Sequence, residues 1–171
     1  METKEYIVTV FSENQIGVLN RITATYLRRK INIESLRVSE SSIKGISMFV
    51  ISAFSTEEII EKVVKQIRKI IEVLEAEYRT ADELITQEMA LYKISSKAFS
   101  QHHSLEVVTR NNNARIIEMT GEYIVVEMTG SREEVERFRD ELASSGSLEQ
   151  FSRSGVVMHR ESIEEKLNHF I

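Results

Sequence analysis

The first half of the chain alternates apolar runs with polar turns in a pattern typical of a small α+β domain. The apolar runs predict strands over residues 6–11, 33–38, 46–54 and 73–78. Apolar residues at helical spacing predict one helix over residues 17–30 and another after Ser55. The predicted buried faces of these helices carry Leu19, Ile22, Tyr26, Ile60, Val63, Val64, Ile67 and Ile71. The order βαββαβ predicts a ferredoxin-like sheet with both helices on one face.

The second half repeats this order at an offset of roughly 85 residues. Its pattern predicts strands over residues 89–94, 115–119, 123–128 and 148–152, with a short helix over residues 104–111. Ser131 and Glu134 have the spacing of a capping box, which predicts the start of a second helix. That helix is predicted to bury Val135, Phe138 and Leu142. The predicted fold class is α+β, with two ferredoxin-like βαββαβ domains in tandem.

The polar stretches of the chain predict where these parts begin and end. We expect a first domain over residues 1–79, an acidic linker over 80–88, a second domain over 89–160 and a C-terminal tail over 161–171. Ile163, Leu167 and Phe170 give the tail the spacing of a short amphipathic helix.

Composition restricts the classes of function. The 171 residues include no Cys, which excludes disulfides, thiolate metal sites and cysteine catalysis. A formal net charge of −5 argues against nucleic acid bound by a broad basic face. No apolar run approaches the roughly 18 residues that span a bilayer, and the N-terminus lacks the apolar core of a signal peptide. We therefore expect a cytoplasmic protein with neither a membrane nor a nucleic-acid partner.

The turn Asn14-Gln15-Ile16-Gly17, between the first strand and the first helix, is the strongest candidate site. A strand that enters a helix in this way leaves backbone N–H groups at the helix N-terminus, where they can hold a carboxylate. Asn14, and Asn32 at the start of the second predicted strand, can add hydrogen bonds. No nucleophile lies near them in the sequence, so the turn suits the binding of a small acid. The local pattern by itself favours a simple helix cap, because Asn is a preferred capping residue.

Two other patterns suggest functions that their details argue against. Residues 44–50 lie on the strand that carries stacking aromatics in RNA-recognition domains, but Ile46 and Met48 stand at the stacking positions. A phosphate loop of the acylphosphatase type would use a glycine-rich turn with an Arg and an Asn. Gly17 is the one glycine of this turn, and Arg21 is better explained as a solvated or ion-paired residue of the helix.

The titratable residues form no catalytic or metal-binding constellation in the sequence. The adjacent pair His102 and His103 would point apart, and His159 and His169 lie far from it without metal-ligand spacing. The acids Glu133, Glu134 and Glu136 are predicted on a helix surface rather than as an acid/base pair. We therefore predict no catalytic residue and no metal site in this chain.

The ordered motifs of the chain resemble a known family. Residues 12–22 and the stretch Asn32-Ile33-Glu34-Ser35-Leu36 resemble the N-terminal ACT domain of the small, regulatory subunit of acetohydroxyacid synthase (acetolactate synthase). Residues 87–94, 114–118 and 153–156 are similar to later motifs of that subunit, in the same order. An Asn-x-x-Gly-Val-Leu turn occurs in many ACT domains, so the specificity lies in the ordered set, which spans nearly the whole chain.

The resemblance implies a regulatory subunit that is non-catalytic by itself. In this family the large catalytic subunit uses thiamine diphosphate, FAD and Mg²⁺ to condense pyruvate with pyruvate or 2-oxobutyrate, towards valine, leucine and isoleucine. The small subunit raises that activity and confers feedback inhibition, usually by valine. Its ACT domains pair across a homodimer, and valine binds at the pairing interface. The expected partners are thus the large subunit, a second copy of the chain and valine, with no cofactor in this chain.

The family's effector site can be carried over by position. One chain would contribute Asn14, Ile16, Gly17, Val18 and Leu19, and the other Asn32 and Ile33. Backbone N–H groups near Gly17 would take the valine carboxylate, and the asparagine carbonyls its ammonium group. Ile16, Lys30 and Ile31 depart from the family pattern, which leaves the identity of the effector open. The alternatives are a free-standing tandem-ACT sensor that acts on another enzyme or regulator and, more weakly, a small phosphatase.

Overall fold

The computed structural model describes residues 2–101, 107 and 109–159. The chain divides into two compact units, one formed by the residues up to Ile85 together with those from Gly155, the other by residues 86–154. The pair His102 and His103, His169, most of the predicted helix over 104–111 and the predicted tail over 161–171 lie outside the described residues.

The first unit has the predicted βαββαβ order. Its elements are β1 (Lys4–Glu13), α1 (Val18–Arg28), β2 (Ser35–Glu40), β3 (Ile46–Ser55), α2 (Glu57–Ile67) and β4 (Val73–Thr80). The strands form a sheet in the order β2-β3-β1-β4, with every neighbouring pair antiparallel. This is the predicted ferredoxin-like sheet, with β2 and β4 at its edges. The second strand begins at Ser35, two residues later than predicted.

The core of the first unit lies between the sheet and its two helices. Alternate residues of β1, such as Val8 and Val10, face Ile22 of α1 and Ile60 of α2. Two residues that were predicted on the buried faces of these helices are exposed, so those predictions are wrong. Leu19 is 40% exposed, because Val18 instead shares the buried face of α1 with Ile22, Thr25 and Tyr26. Ile71 is 93% exposed, because α2 ends at Ile67 and the helical period ends with it.

The opposite, outer face of the first sheet is also covered. Ile7 and Val50 point away from the helices and form a small cluster with Val156. The Thr9 hydroxyl donates a hydrogen bond to the sulfur of Met158, at 3.2 Å. We call residues 155–159 the return segment. It includes the short strand β9 (Val157–His159) and belongs to the first unit, although it follows the second unit in the chain.

The second unit repeats the topology of the first. Its elements are β5 (Ile85–Ser95), α3 (Ser96–Gln101), β6 (Arg115–Met119), β7 (Tyr123–Gly130), α4 (Arg132–Ser144) and β8 (Leu148–Arg153). The sheet order β6-β7-β5-β8 corresponds strand for strand to β2-β3-β1-β4. The predicted repeat of the βαββαβ fold is therefore confirmed, although α3 was not predicted. The stretch predicted as a linker, residues 80–88, holds the end of β4 and the start of β5.

The core of the second unit is organised around aromatic residues. Tyr92 of β5 and Phe138 of α4 pack edge to face, with ring centroids 4.8 Å apart. The predicted capping box is present at the start of α4. The Glu134 N–H donates to the Ser131 hydroxyl at 3.3 Å, and the Ser131 N–H donates to the Glu134 carboxylate at 2.7 Å. Val135, Phe138 and Leu142 are buried as predicted.

Candidate functional site

The turn between β1 and α1 is built around Gly17. Its φ of +90° lies in the left-handed region, which glycine adopts without a Cβ penalty. Gly17 is itself the N-cap of α1, and no side chain caps this helix end. The first backbone bond of the helix runs from the Arg21 N–H to the Gly17 carbonyl, at 3.2 Å. The idea that Asn14 caps the helix is therefore wrong, because the N-cap, Gly17, lies three residues beyond it.

The N-terminus of α1 is open to a ligand. Residues 14–17 are all exposed, and the Ile16 side chain is fully so. No atom lies within 4 Å of the position that a Cβ on Gly17 would occupy, its chain neighbours aside. The Val18 N–H donates to the Gln15 carbonyl at 3.4 Å, but no side chain caps this helix end, so the neighbouring N–H groups and the positive end of the helix dipole are available to an anion. A carboxylate is a suitable ligand for such an end.

Backbone hydrogen bonds tie this turn to its neighbours. The Asn14 N–H donates to the Gly45 carbonyl, at 3.0 Å, in the turn between β2 and β3. The Gln15 N–H donates to the Glu13 carbonyl, and the Glu13 N–H to the Glu72 carbonyl, each at 2.9 Å. The turn therefore lies at the end of the sheet where β1 ends and β3 begins.

A side-chain ion pair adds to this anchoring. The Arg21 guanidinium contacts the Glu72 carboxylate at 2.7 Å, which bears out ion pairing for Arg21. The pKa of the Glu72 carboxyl lies below its usual range, chiefly because the Arg21 guanidinium donates a hydrogen bond to the charged carboxylate. Glu72 was missed by the sequence analysis, since it lies far from the turn in the chain and belongs to no motif.

The other predicted part of the site, Asn32, lies in a loop rather than at the start of a strand. Its side-chain amide donates to the Glu34 carboxylate at 3.3 Å. The neighbouring Ile33 is half-buried and packs against the core of the first unit. Asn32 therefore precedes the first residue of β2, Ser35, by three residues and lies near that end of the strand.

Within one chain, Asn14 and Asn32 lie at opposite ends of β2. Glu40, at the end of β2, pairs with Ser47, next to the turn that contains Asn14. Ser35, at the start of β2, pairs with Ser52 at the far end of β3. Five residue steps of a strand separate these ends by roughly 17 Å. The two asparagines therefore do not meet on a single copy of the chain.

The strand between them presents an apolar edge. β2 is an edge strand, and its Leu36 and Val38 are both exposed. They pair with Ile51 and Phe49, which face the helices, so Leu36 and Val38 lie on the helix side of the sheet. Exposed apolar residues on an edge strand form a surface suited to strand pairing.

The remaining sequence candidates have structural explanations. Gly45 occupies the turn between β2 and β3 with φ +85°, and Ile46 and Met48 pack against Phe11 instead of presenting a stacking platform. On α4, Glu134 belongs to the capping box, while Glu136 pairs with Arg132. In the described part of the chain, no helix is long and apolar enough to cross a membrane.

A doubled ferredoxin-like fold, with an uncapped turn between β1 and α1 of its first unit, is the architecture of a two-domain protein whose first unit is of the ACT type. The family model of the AHAS small subunit-like ACT domain matches residues 8–75, and that of the small subunit of acetolactate synthase matches residues 87–161. The chain belongs to the family of acetolactate synthase small subunits. It is therefore a regulatory subunit, and a small subunit implies a catalytic large subunit as its partner.

Individual relatives agree along nearly the full length. The acetolactate synthase small subunit of Mycobacterium leprae is 33% identical over 152 residues, which cover 89% of each chain. That of Aquifex aeolicus is 29% identical over 98% of this chain and 88% of its own. The crystal structure of the small subunit from Thermotoga maritima superposes with a TM-score of 0.82 at 28% identity, covering 94% of this chain and 99% of that one.

Proposed function

We propose that this chain activates the catalytic subunit of acetolactate synthase and makes it subject to feedback inhibition by a branched-chain amino acid, with valine the first candidate. It is non-catalytic by itself in this proposal. The observation that carries it is the position of the two asparagines at opposite ends of an exposed edge strand. When two chains pair about a two-fold axis, the opposite ends of their two β2 strands come together, whereas within a single chain these ends lie apart.

The geometry of strand pairing supports a homodimer through β2. When two copies of an edge strand pair antiparallel about a two-fold axis, the start of one strand lies beside the end of the other. Asn32 of the second copy then lies beside the β2–β3 turn of the first, to which Asn14 is bonded. The same pairing covers the exposed Leu36 and Val38 of both copies. Two identical effector sites result, each shared between two chains.

The chemistry of each site suits an amino acid. The open N–H groups at the start of α1, from Gly17 onward, bind the carboxylate, which lies at the positive end of the helix dipole. The side-chain carbonyls of Asn14 and of Asn32 of the second copy accept from the ammonium group. The exposed Ile16 and Leu19 offer apolar surface to a branched side chain. Val18 is buried in the core and supports the turn from beneath.

A site shared by two chains gives the effector a route to regulation. An effector that contacts both copies stabilises their pairing, and allosteric coupling of this kind is typically worth about 1–3 kcal/mol. Thiamine diphosphate, FAD and Mg²⁺ belong to the large subunit in this proposal, which acts in the cytoplasm in the synthesis of branched-chain amino acids. This chain contributes the sensor and the contact that raises the activity of its partner.

Two measurements test the proposal. Purified chain added to its cognate large subunit should raise the rate of acetolactate formation, and valine should lower the raised rate. Calorimetry of the chain with valine, leucine and isoleucine then identifies the effector. An unchanged rate at every ratio of the two subunits would overturn activation and favour a free-standing sensor for another enzyme. Absence of binding by all three amino acids would overturn the effector site.

A further inference from the structure

The side chains of the effector turn do not themselves hold it in place. Residues 14–17 are all exposed, and Gly17 has no side chain to pack. The Gln15 amide donates to the Glu13 carboxylate at 2.6 Å, a contact made within the turn region. Besides the bond from the Asn14 N–H to the Gly45 carbonyl, the orientation of the turn against the rest of the domain therefore depends on the bonds that its two flanks make.

Both flanks bond to the same residue, Glu72. On the strand side, the Glu13 N–H donates to the Glu72 carbonyl at 2.9 Å. On the helix side, the Arg21 guanidinium binds the Glu72 carboxylate at 2.7 Å. Glu72 is the last residue before β4, and the residue after it, Val73, pairs with Ser12 of β1. One residue thus joins the end of β1 and the first turn of α1 to the β4 edge of the sheet.

The carboxylate of Glu72 is well placed to act as a fixed anchor. Its side chain is 14% exposed, and its Oε2 is buried without a hydrogen-bond partner in the described part of the chain. A largely covered carboxylate of this kind is held by its cation and by the hydrogen bond from its own backbone N–H. Arg21 is nearly half exposed and has the longer side chain. The pair therefore constrains α1 to the loop that carries Glu72.

We propose that Glu72 is a positioning residue of the effector site. With Arg21 it clamps the two flanks of the turn and so sets the direction of the open N–H groups of α1, without touching the effector. This inference rests on the proposed effector site at the same turn. It adds a residue that neither the turn motif nor the asparagines identify.

Two substitutions separate a geometric role from an electrostatic one. Arg21→Gln removes a positive charge near the effector carboxylate, whereas Glu72→Gln removes a negative one. If the pair acts through geometry, both variants raise the valine concentration for half-inhibition, by roughly 3- to 30-fold. Activation of the large subunit without valine should stay at the wild-type level. The charge-swapped double variant, Arg21→Glu with Glu72→Arg, should recover most of the sensitivity. Shifts of opposite sign, or no shift, would overturn the proposal.

Hydrogen exchange in the valine-free chain tests the clamp independently of any effector. We expect faster exchange at the amides of residues 12–21 in both single variants. The matched controls are Lys62→Gln and Glu58→Gln, which break an exposed ion pair on α2 and should leave these amides unchanged. If the wild-type chain binds no branched-chain amino acid, the proposed function fails, but the exchange measurement still decides the clamp. Wild-type exchange at residues 12–21 in both variants would refute it.

Discussion

The Glu88 carboxylate and the Arg153 guanidinium form an ion pair at 3.0 Å, in which Glu88 is only 3% exposed. Met89 and Ser154, which follow these two residues in the chain, also connect β5 to β8. The Met89 N–H donates to the Ser154 hydroxyl at 3.0 Å, and the Ser154 N–H donates to the Met89 carbonyl at 2.8 Å. The Arg-Ser pair in the 153–156 motif thus closes the sheet of the second unit.

Removal of one partner of this ion pair should destabilise the second unit strongly. Arg153→Met removes the guanidinium that binds the buried Glu88 carboxylate at 3.0 Å, at a cost of about 3 kcal/mol. The double variant Arg153→Met with Glu88→Leu should lose clearly less, because it removes the buried charge together with its cation. Urea unfolding followed by circular dichroism measures both. As a control, Lys65→Met breaks an exposed pair with Glu61 and should change stability by under about 0.5 kcal/mol. Equal losses in the single and double variants would contradict this account.

Two buried tyrosines predict opposite responses to the same substitution. The Tyr92 hydroxyl donates to the Val135 carbonyl at 2.8 Å, whereas the buried Tyr26 hydroxyl has no partner in the described part of the chain. Tyr92→Phe should therefore cost about 1 kcal/mol, through loss of a hydrogen bond. Tyr26→Phe should leave stability unchanged or raise it by up to about 1 kcal/mol, because it removes an unsatisfied polar group. Thermal melts of the two variants at neutral pH compare them directly.

The same tyrosines predict loss of stability in alkali. Burial raises the pKa of the Tyr26 and Tyr92 phenols above the ordinary value of 10.0. The folded chain therefore retains protons that the unfolded chain releases, so this contribution to stability is complete below pH 10 and falls as pH rises above it. Melting temperatures measured from pH 8 to pH 11 should fall less steeply above pH 10 for Tyr92→Phe than for the wild type. Parallel curves would contradict a buried neutral phenol.

A charge at Gly17 should abolish feedback inhibition and spare activation. Gly17→Asp places a carboxylate beside the open N–H groups of α1, where it competes with that of the effector. Gly17→Asn tests shape without charge and should reduce sensitivity less. Gly146→Asp is the matched control, since Gly146 also has a positive φ and open space around it but lies in the second unit. Titration of valine against the activated large subunit measures all three. Wild-type valine sensitivity in Gly17→Asp would count against the site.

Charge on the β2 edge should separate the two copies. The double variant Leu36→Lys with Val38→Lys places like charges opposite each other in the proposed strand pair, which disfavours pairing. Analytical ultracentrifugation should show the 19.7 kDa monomer, and calorimetry should show loss of effector binding. Ile85→Lys changes another exposed apolar residue and should leave the dimer intact. A dimeric double variant would show that the copies pair elsewhere.

The order of elements could be predicted because each one carries a strong local pattern. The buried stripe of α2 and the capping box of α4 are examples, since both depend on residues three or four positions apart. The errors at Leu19 and Ile71 arose at helix ends, where a shift of one residue changes the face or ends the period. Local patterns therefore predict which elements form better than where they end.

The candidate site was only partly accessible to sequence reasoning. The turn with Gly17 has a recognisable motif, but the preference of helix N-caps for Asn pointed to Asn14. That preference does not reveal that Gly17, with its positive φ, is the residue that caps α1. The proposed role of Asn32 came from the family resemblance and not from its local pattern. The contact of Glu72 with Arg21 runs across the fold and belongs to no motif. Contacts between residues distant in sequence leave no periodic signal in a single chain, so they became visible only in the structure.

The return segment has a consequence for the synthesis of the protein. Because Val156 and Met158 cover Ile7 and Val50, the first unit is not encoded by one continuous stretch of the chain. Domains usually fold one after another as the ribosome releases them, starting from the N-terminus. Here the outer layer of the first unit cannot form until the second unit has been synthesised. A nascent or truncated chain that ends before residue 156 exposes an apolar sheet face, so premature termination should yield an aggregation-prone product.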